Sequence, residues 1–82
     1  MPYRDRGKFR ASVVVIEELR DGSAWILHWD QGAQEEHASA AEALKAVHCR
    51  DRVMSDAGFS IITTVRWTAY TRIGLAAVRA LQ

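Results

Sequence analysis

The chain predicts a small α+β domain: an antiparallel sheet of three to four strands with helices packed on one face, in the order β-β-(β)-α-β-α. Three observations carry that prediction. Two β-rich runs flank Asp21-Gly22, a strong hairpin signal. A helix opens at Ser39-Ala40-Ala41-Glu42 and closes at Gly58. A further β-rich run and a helically spaced tail complete the chain.

Residues 1–8 hold the only proline and read as a mobile basic arm ahead of one domain spanning residues 1–82. Phe9 to Leu19 is rich in β-branched residues and reads as a strand. Asp21-Gly22 then predicts a two-residue type I′ loop with positive φ at both positions. That loop sets the register with the return strand, Ala24 to Asp30. Leu19 faces Ala24, Glu18 faces Trp25, Ile16 faces Leu27 and Val14 faces Trp29. Val14, Ile16, Trp25, Leu27 and Trp29 then share the core face. Val13, Val15 and Ile26 mix with Glu17, His28 and Asp30 on a half-solvated one.

Gln31-Gly32 is a second turn, and Ala33 to Ala38 forms a short polar strand at the edge. Ser39 and Glu42 are spaced as a capping box, each side chain reaching the other's amide. The helix runs from Ala40 to about Ala57, with Gly58 as a left-handed stop. Ala40, Ala43, Leu44, Ala46, Val47, Val53, Met54 and Ala57 line its apolar side, and Arg50 interrupts it. Phe59 to Thr68 reads as a strand, with Phe59, Ile61, Thr63, Val65 and Trp67 on one face. Leu75, Val78 and Leu81 make the tail from Thr71 to Gln82 a short helix. The alternative is that Ala69 to Leu75 extends the sheet.

A chain of 82 residues buries only about 60–65% of its unfolded surface, so self-association or a partner protein is the expected supplement to its core. Cys49 is the only cysteine, which excludes an internal disulfide and, with no signal peptide, points to a reducing cytoplasmic setting. The longest apolar run, Val13 to Ile16, is far too short to span a bilayer. The net charge of +1 conceals basic ends around an acidic centre that holds Glu17, Glu18, Asp21, Asp30, Glu35, Glu36 and Glu42. A two-signed surface of this kind steers and orients partners.

Catalytic and metal chemistry find little support in the spacing. His28, Asp30 and Glu17 share a hairpin face that His37 could approach, but no CxxC or HExxH motif is present. Those residues read as polar cross-strand pairs, and no metal or other cofactor is assigned. Cys49 and His48 are helix neighbours, which diverge, and Cys49 falls at the edge of the apolar side, where an inert buried thiol is usual. The chain is not expected to be an enzyme.

Two binding classes remain. For a protein partner, Trp25 and Trp67 are the first candidates for exposure, because three Trp exceed what a small core easily encloses. Arg50, Arg66, Arg72, Glu35 and Glu36 supply the charged contacts, within a possible homodimer as well as toward another protein. For nucleic acid, the candidates are Arg4, Arg6, Lys8 and Arg10 on the arm, with Arg66 on the sheet. The sequence pI of about 8.0 falls short of the strongly basic footprint of such domains.

Strand, Asp-Gly turn, strand, short strand and a helix opening Ser39-Ala40-Ala41-Glu42-Ala43-Leu44 together resemble the HicB-type antitoxin module over residues 9–48. The chain departs from that pattern where Asp30-Gln31-Gly32 replaces a proline-glycine segment, and a DNA-binding tail is not expected after Gln82. In format it is also similar to small phage-encoded inhibitors such as anti-CRISPR proteins, a class with no shared motif. The function expected is therefore a protein-interaction module that inhibits or regulates a partner, in the style of phage or mobile-element inhibitors. The alternatives are a nucleic-acid-binding regulator and an antitoxin-like module.

Overall fold

A computed structural model describes residues 9–82. The elements are β1 (Phe9–Glu18), β2 (Trp25–His28), β3 (Gln34–His37), α1 (Ala40–Asp56), β4 (Ser60–Thr68) and α2 (Arg72–Leu81). The α+β class and element order follow the sequence reading, and the tail is a helix. The mobile arm assigned to residues 1–8 lies outside the described residues.

The four strands are ordered β3-β2-β1-β4. The hairpin and β3 pair antiparallel as expected, but β4 runs parallel to β1, so the sheet is mixed rather than antiparallel. The cause is α1. It carries the chain back along the sheet after β3, so β4 starts from the same end as β1 and must run beside it in the same direction.

The hairpin register is the expected one, with Ile16 opposite Leu27 and Glu18 opposite Trp25. Its turn is not type I′. Gly22 has φ of 77°, whereas Asp21 keeps a negative φ. The Asp21 carboxylate accepts from the Ser23 amide at 3.0 Å and the Ser23 hydroxyl at 2.7 Å. The Gly22 amide donates to the Leu19 carbonyl at 2.8 Å. An Asx turn inside a wider loop therefore replaces the two-residue turn and leaves the register unchanged.

α1 starts and stops where its caps dictate. The Ser39 hydroxyl accepts from the Glu42 amide at 3.1 Å, so half of the capping box forms; the return bond from Glu42 is absent among the described residues. At the other end Gly58 has φ of 96°. The Gly58 and Phe59 amides donate to the Ser55 and Met54 carbonyls at 2.9 and 3.0 Å, which is a Schellman closure.

Both helices cover one face of the sheet. Val14, Ile16, Trp25 and Leu27 meet Ala40, Ala43 and Val47 of α1 and Val78 of α2, with Trp29, Val65, Trp67 and Leu81 packed around them. Val53, expected on the buried side of α1, is exposed instead, because it falls at the margin of the buried stripe. Cys49 is exposed too, not the buried thiol expected.

Candidate interaction surface

The helix-covered face holds two polar clusters that are complete within the chain. The first is centred on Arg50, the violation in the apolar side of α1. Its guanidinium donates to Asp51 at 3.0 and 3.1 Å, to the Ser12 hydroxyl at 3.0 Å and to the Thr63 hydroxyl at 3.2 Å. It also lies over the Trp29 ring, 4.8 Å from the centroid. Ser12 in turn donates to Asp30 at 2.6 Å. β2 ends at His28, and Trp29 keeps the core face expected for it, whereas Asp30, expected beside His28 on the other face, leaves the strand alternation and turns toward Ser12 and Arg50. Asp30 is thereby separated from Glu17 and His28, and no cluster of His, Cys, Asp or Glu suited to a metal ion occurs among the described residues.

The second cluster is the Glu18 carboxylate, 2% exposed on the core face. It accepts from the Tyr70 and Thr71 amides at 2.7 and 2.8 Å and from the Thr71 hydroxyl. These amides open α2, where a carboxylate also complements the helix dipole. Burial pushes the Glu18 carboxyl up, but its bonds to the Thr71 hydroxyl and the two amides outweigh that and hold it below its ordinary range.

Among the described residues no helix covers the opposite face. β1 contributes Phe9, Ala11, Val13, Val15 and Glu17 to it, and β4 contributes Ser60, Ile62, Thr64, Arg66 and Thr68. Ile26 and His28 of β2 and Gln34 and Glu36 of β3 continue it. At one end Phe9, Val13 and Ile62 are 52, 47 and 61% exposed. At the other end the Glu17 carboxylate accepts from the Tyr70 hydroxyl at 2.8 Å and pairs with His28 Nε2 at 3.0 Å. The Tyr70 and His28 bonds hold Glu17 below its ordinary range, and the same bond to Glu17 raises the Tyr70 hydroxyl. Arg20 lies over the Tyr70 ring at 4.6 Å, closing this polar end. Exposed Arg66 and Glu36 stand at opposite sides of the face.

The residues expected to meet a partner are thus dispersed. Trp25 is 5% exposed and belongs to the core, so it is not available to a partner. Trp67 is half-buried and packs edge-to-face on Trp25, with centroids 6.5 Å apart. The reason is local: these two rings meet across the helix-covered face and enclose one another. Arg50 is committed to the internal cluster. Glu35 is exposed but accepts from the Trp29 indole at 2.9 Å and pairs with His37 at 2.7 Å, and the indole bond foremost keeps its carboxyl below the ordinary range. Glu36, Arg66 and Arg72 are exposed. Arg10 is exposed and lies over the Phe59 ring at 5.8 Å. Arg4, Arg6 and Lys8 lie outside the described residues.

Sequence reasoning missed Phe9, Val13 and Ile62 as surface residues of consequence. The signal was present in the alternation, since each lies on the face opposite Val14 and Val65, and both helices are used up on the core side. A shallow groove of about 430 Å³ between the start of α1 and α2 is lined by Trp25, Ile73, Leu81 and small residues. Its one polar lining side chain, Ser39, is occupied in capping α1. Among the described residues no helix is long and apolar enough to cross a membrane.

No protein-family model, curated protein or solved structure matches this chain.

Proposed function

We propose that this chain is a non-enzymatic protein-interaction module that inhibits or regulates a partner protein by covering it, in the style of phage or mobile-element inhibitors. The observation behind this reading is the uncovered sheet face. It presents Phe9, Val13 and Ile62 at 47–61% exposure beside a rim of Arg66, Glu17, His28 and Tyr70. Apolar contact bordered by polar groups is how interfaces between proteins are built. The acid–base pairs on the rim are satisfied by one another, which suits orientation of a partner more than proton transfer to a substrate.

The test is affinity capture of a specific partner from the native host, followed by direct titration with that purified partner. Val13→Asp places a charge in the middle of the apolar end and should weaken binding at least tenfold while the fold is retained. Unchanged affinity refutes the use of this face. A mobility shift with random DNA or RNA that falls steeply with salt would instead support the nucleic-acid reading.

A further inference from the structure

We infer that two copies of this chain pair through the outer edge of β4, running antiparallel about a two-fold axis, to make one continuous sheet. The two edges of the sheet are not alike. β3 is four residues long and carries Glu35 and Glu36, a short, charged edge that resists pairing. β4 is nine residues long, Ser-Ile-Ile-Thr-Thr-Val-Arg-Trp-Thr, with Arg66 its single charge. Among the described residues nothing hydrogen-bonds to the outer backbone of β4, which therefore offers a row of amides and carbonyls at strand spacing. Another strand satisfies that row most completely.

The side chains favour a second copy. A two-fold axis perpendicular to the sheet keeps each face continuous, so residues directly opposite must lie on the same face. Full overlap of Ser60–Thr68 with itself puts Thr64 on the axis. On the open face Ile62 then stands opposite the second copy's Arg66, whose aliphatic stem can lie along it. On the helix face Ile61 meets Trp67, an aromatic and β-branched pair of the kind that stabilises sheets. Parallel pairing would instead set Arg66 against itself. The antiparallel arrangement leaves the open face uncovered and joins two copies of it side by side, so it does not depend on the reading proposed above.

Sedimentation equilibrium of the purified chain, with no partner present, tests this. The expected mass is twice 9.2 kDa, falling toward one copy on dilution. Ile62→Lys sets an ammonium opposite Arg66 at two symmetric positions and should weaken the dimer about tenfold. Ile62→Glu sets a carboxylate there and should leave the dimer as tight or tighter. Circular dichroism of both variants confirms that the fold is intact, since Ile62 is exposed. A single-copy mass at every concentration overturns the inference. So does the opposite pattern, with Lys tightening, Glu weakening and masses rising beyond two copies, because it would mean that β4 pairs with the acidic β3 edge of the next molecule.

Discussion

Gly74 of α2 has no β-carbon, and the Glu18 carboxylate fills the space that one would take. The close approach lets Glu18 reach the Tyr70 and Thr71 amides and the Thr71 hydroxyl at once. A β1 side chain thereby fixes where the C-terminal helix begins. A buried carboxylate is costly unless its lone pairs are occupied, and here three donors occupy them.

Gly74→Ala is accordingly expected to destabilise the fold by roughly 1–3 kcal/mol, although alanine is the better helix former. Glu18→Ala should also destabilise, by about 2–3 kcal/mol, because two amides and a hydroxyl lose a charged acceptor. In the double variant the overlap disappears, so the combined loss should fall short of the sum by about 1 kcal/mol or more. Urea unfolding of the four proteins measures this coupling, and strict additivity would show that the two residues do not share the site.

Acid should unfold the protein in part through the same carboxylate. Glu18 titrates below its ordinary value of 4.5 in the folded chain, so in acid the unfolded chain binds more protons. Its stabilisation is therefore complete above about pH 4.5 and is lost as pH falls through the lower folded value. Glu17 and Glu35 are shifted in the same direction and add to the trend. Unfolding free energies measured from pH 7 to pH 3 should decline below pH 4.5, and Glu18→Gln should flatten that decline. An equal decline in the variant would assign the acid sensitivity to other carboxylates.

Much of the fold was legible in the residues because local chemistry decided it. The hairpin register follows from alternation about Asp21-Gly22 even though the turn itself is an Asx turn. Ser39 and Gly58 bound α1 through hydrogen bonds to their own near neighbours. The parallel placement of β4 was not legible, since it depends on the path α1 takes over the sheet and not on any residue of β4. The candidate surface was hidden for a related reason. Tryptophan and arginine attract notice as interface residues, but Trp25 and Arg50 are drawn inward by partners distant in sequence, Trp67 and Ser12. The exposed apolar residues are ordinary β-branched and aromatic strand positions, identifiable only once both described helices are placed on the other face.

Trp25 should behave as a core residue in any experiment. Trp25→Ala removes a ring that is 5% exposed and should cost about 3–5 kcal/mol, enough to unfold a domain of this size. Trp67→Ala should cost less, since that ring is only half-buried. Thermal unfolding of the two variants checks the ranking, and a folded Trp25→Ala variant that had only lost binding would return this residue to the interface.

Arg50 offers the sharpest separation between charge and geometry. Its fork is divided among Asp51, Ser12 and Thr63 while its plane lies against Trp29. Lysine keeps the charge but has neither the fork nor the flat face. Its ammonium cannot reach the acceptors on α1, β1 and β4 together, so Ser12 and Thr63 lose their shared partner and the cluster no longer ties α1 to the sheet. The cluster is partly solvated, with the Arg50 and Asp51 side chains 20 and 26% exposed, so water recovers some of the loss. Arg50→Lys is therefore expected to destabilise by about 1–2 kcal/mol, more than a surface ion pair would. The emission of Trp29 should shift to longer wavelength as the guanidinium leaves its ring and water enters. A variant as stable as the original, with unchanged emission, would mean that the positive charge alone holds this corner of the fold.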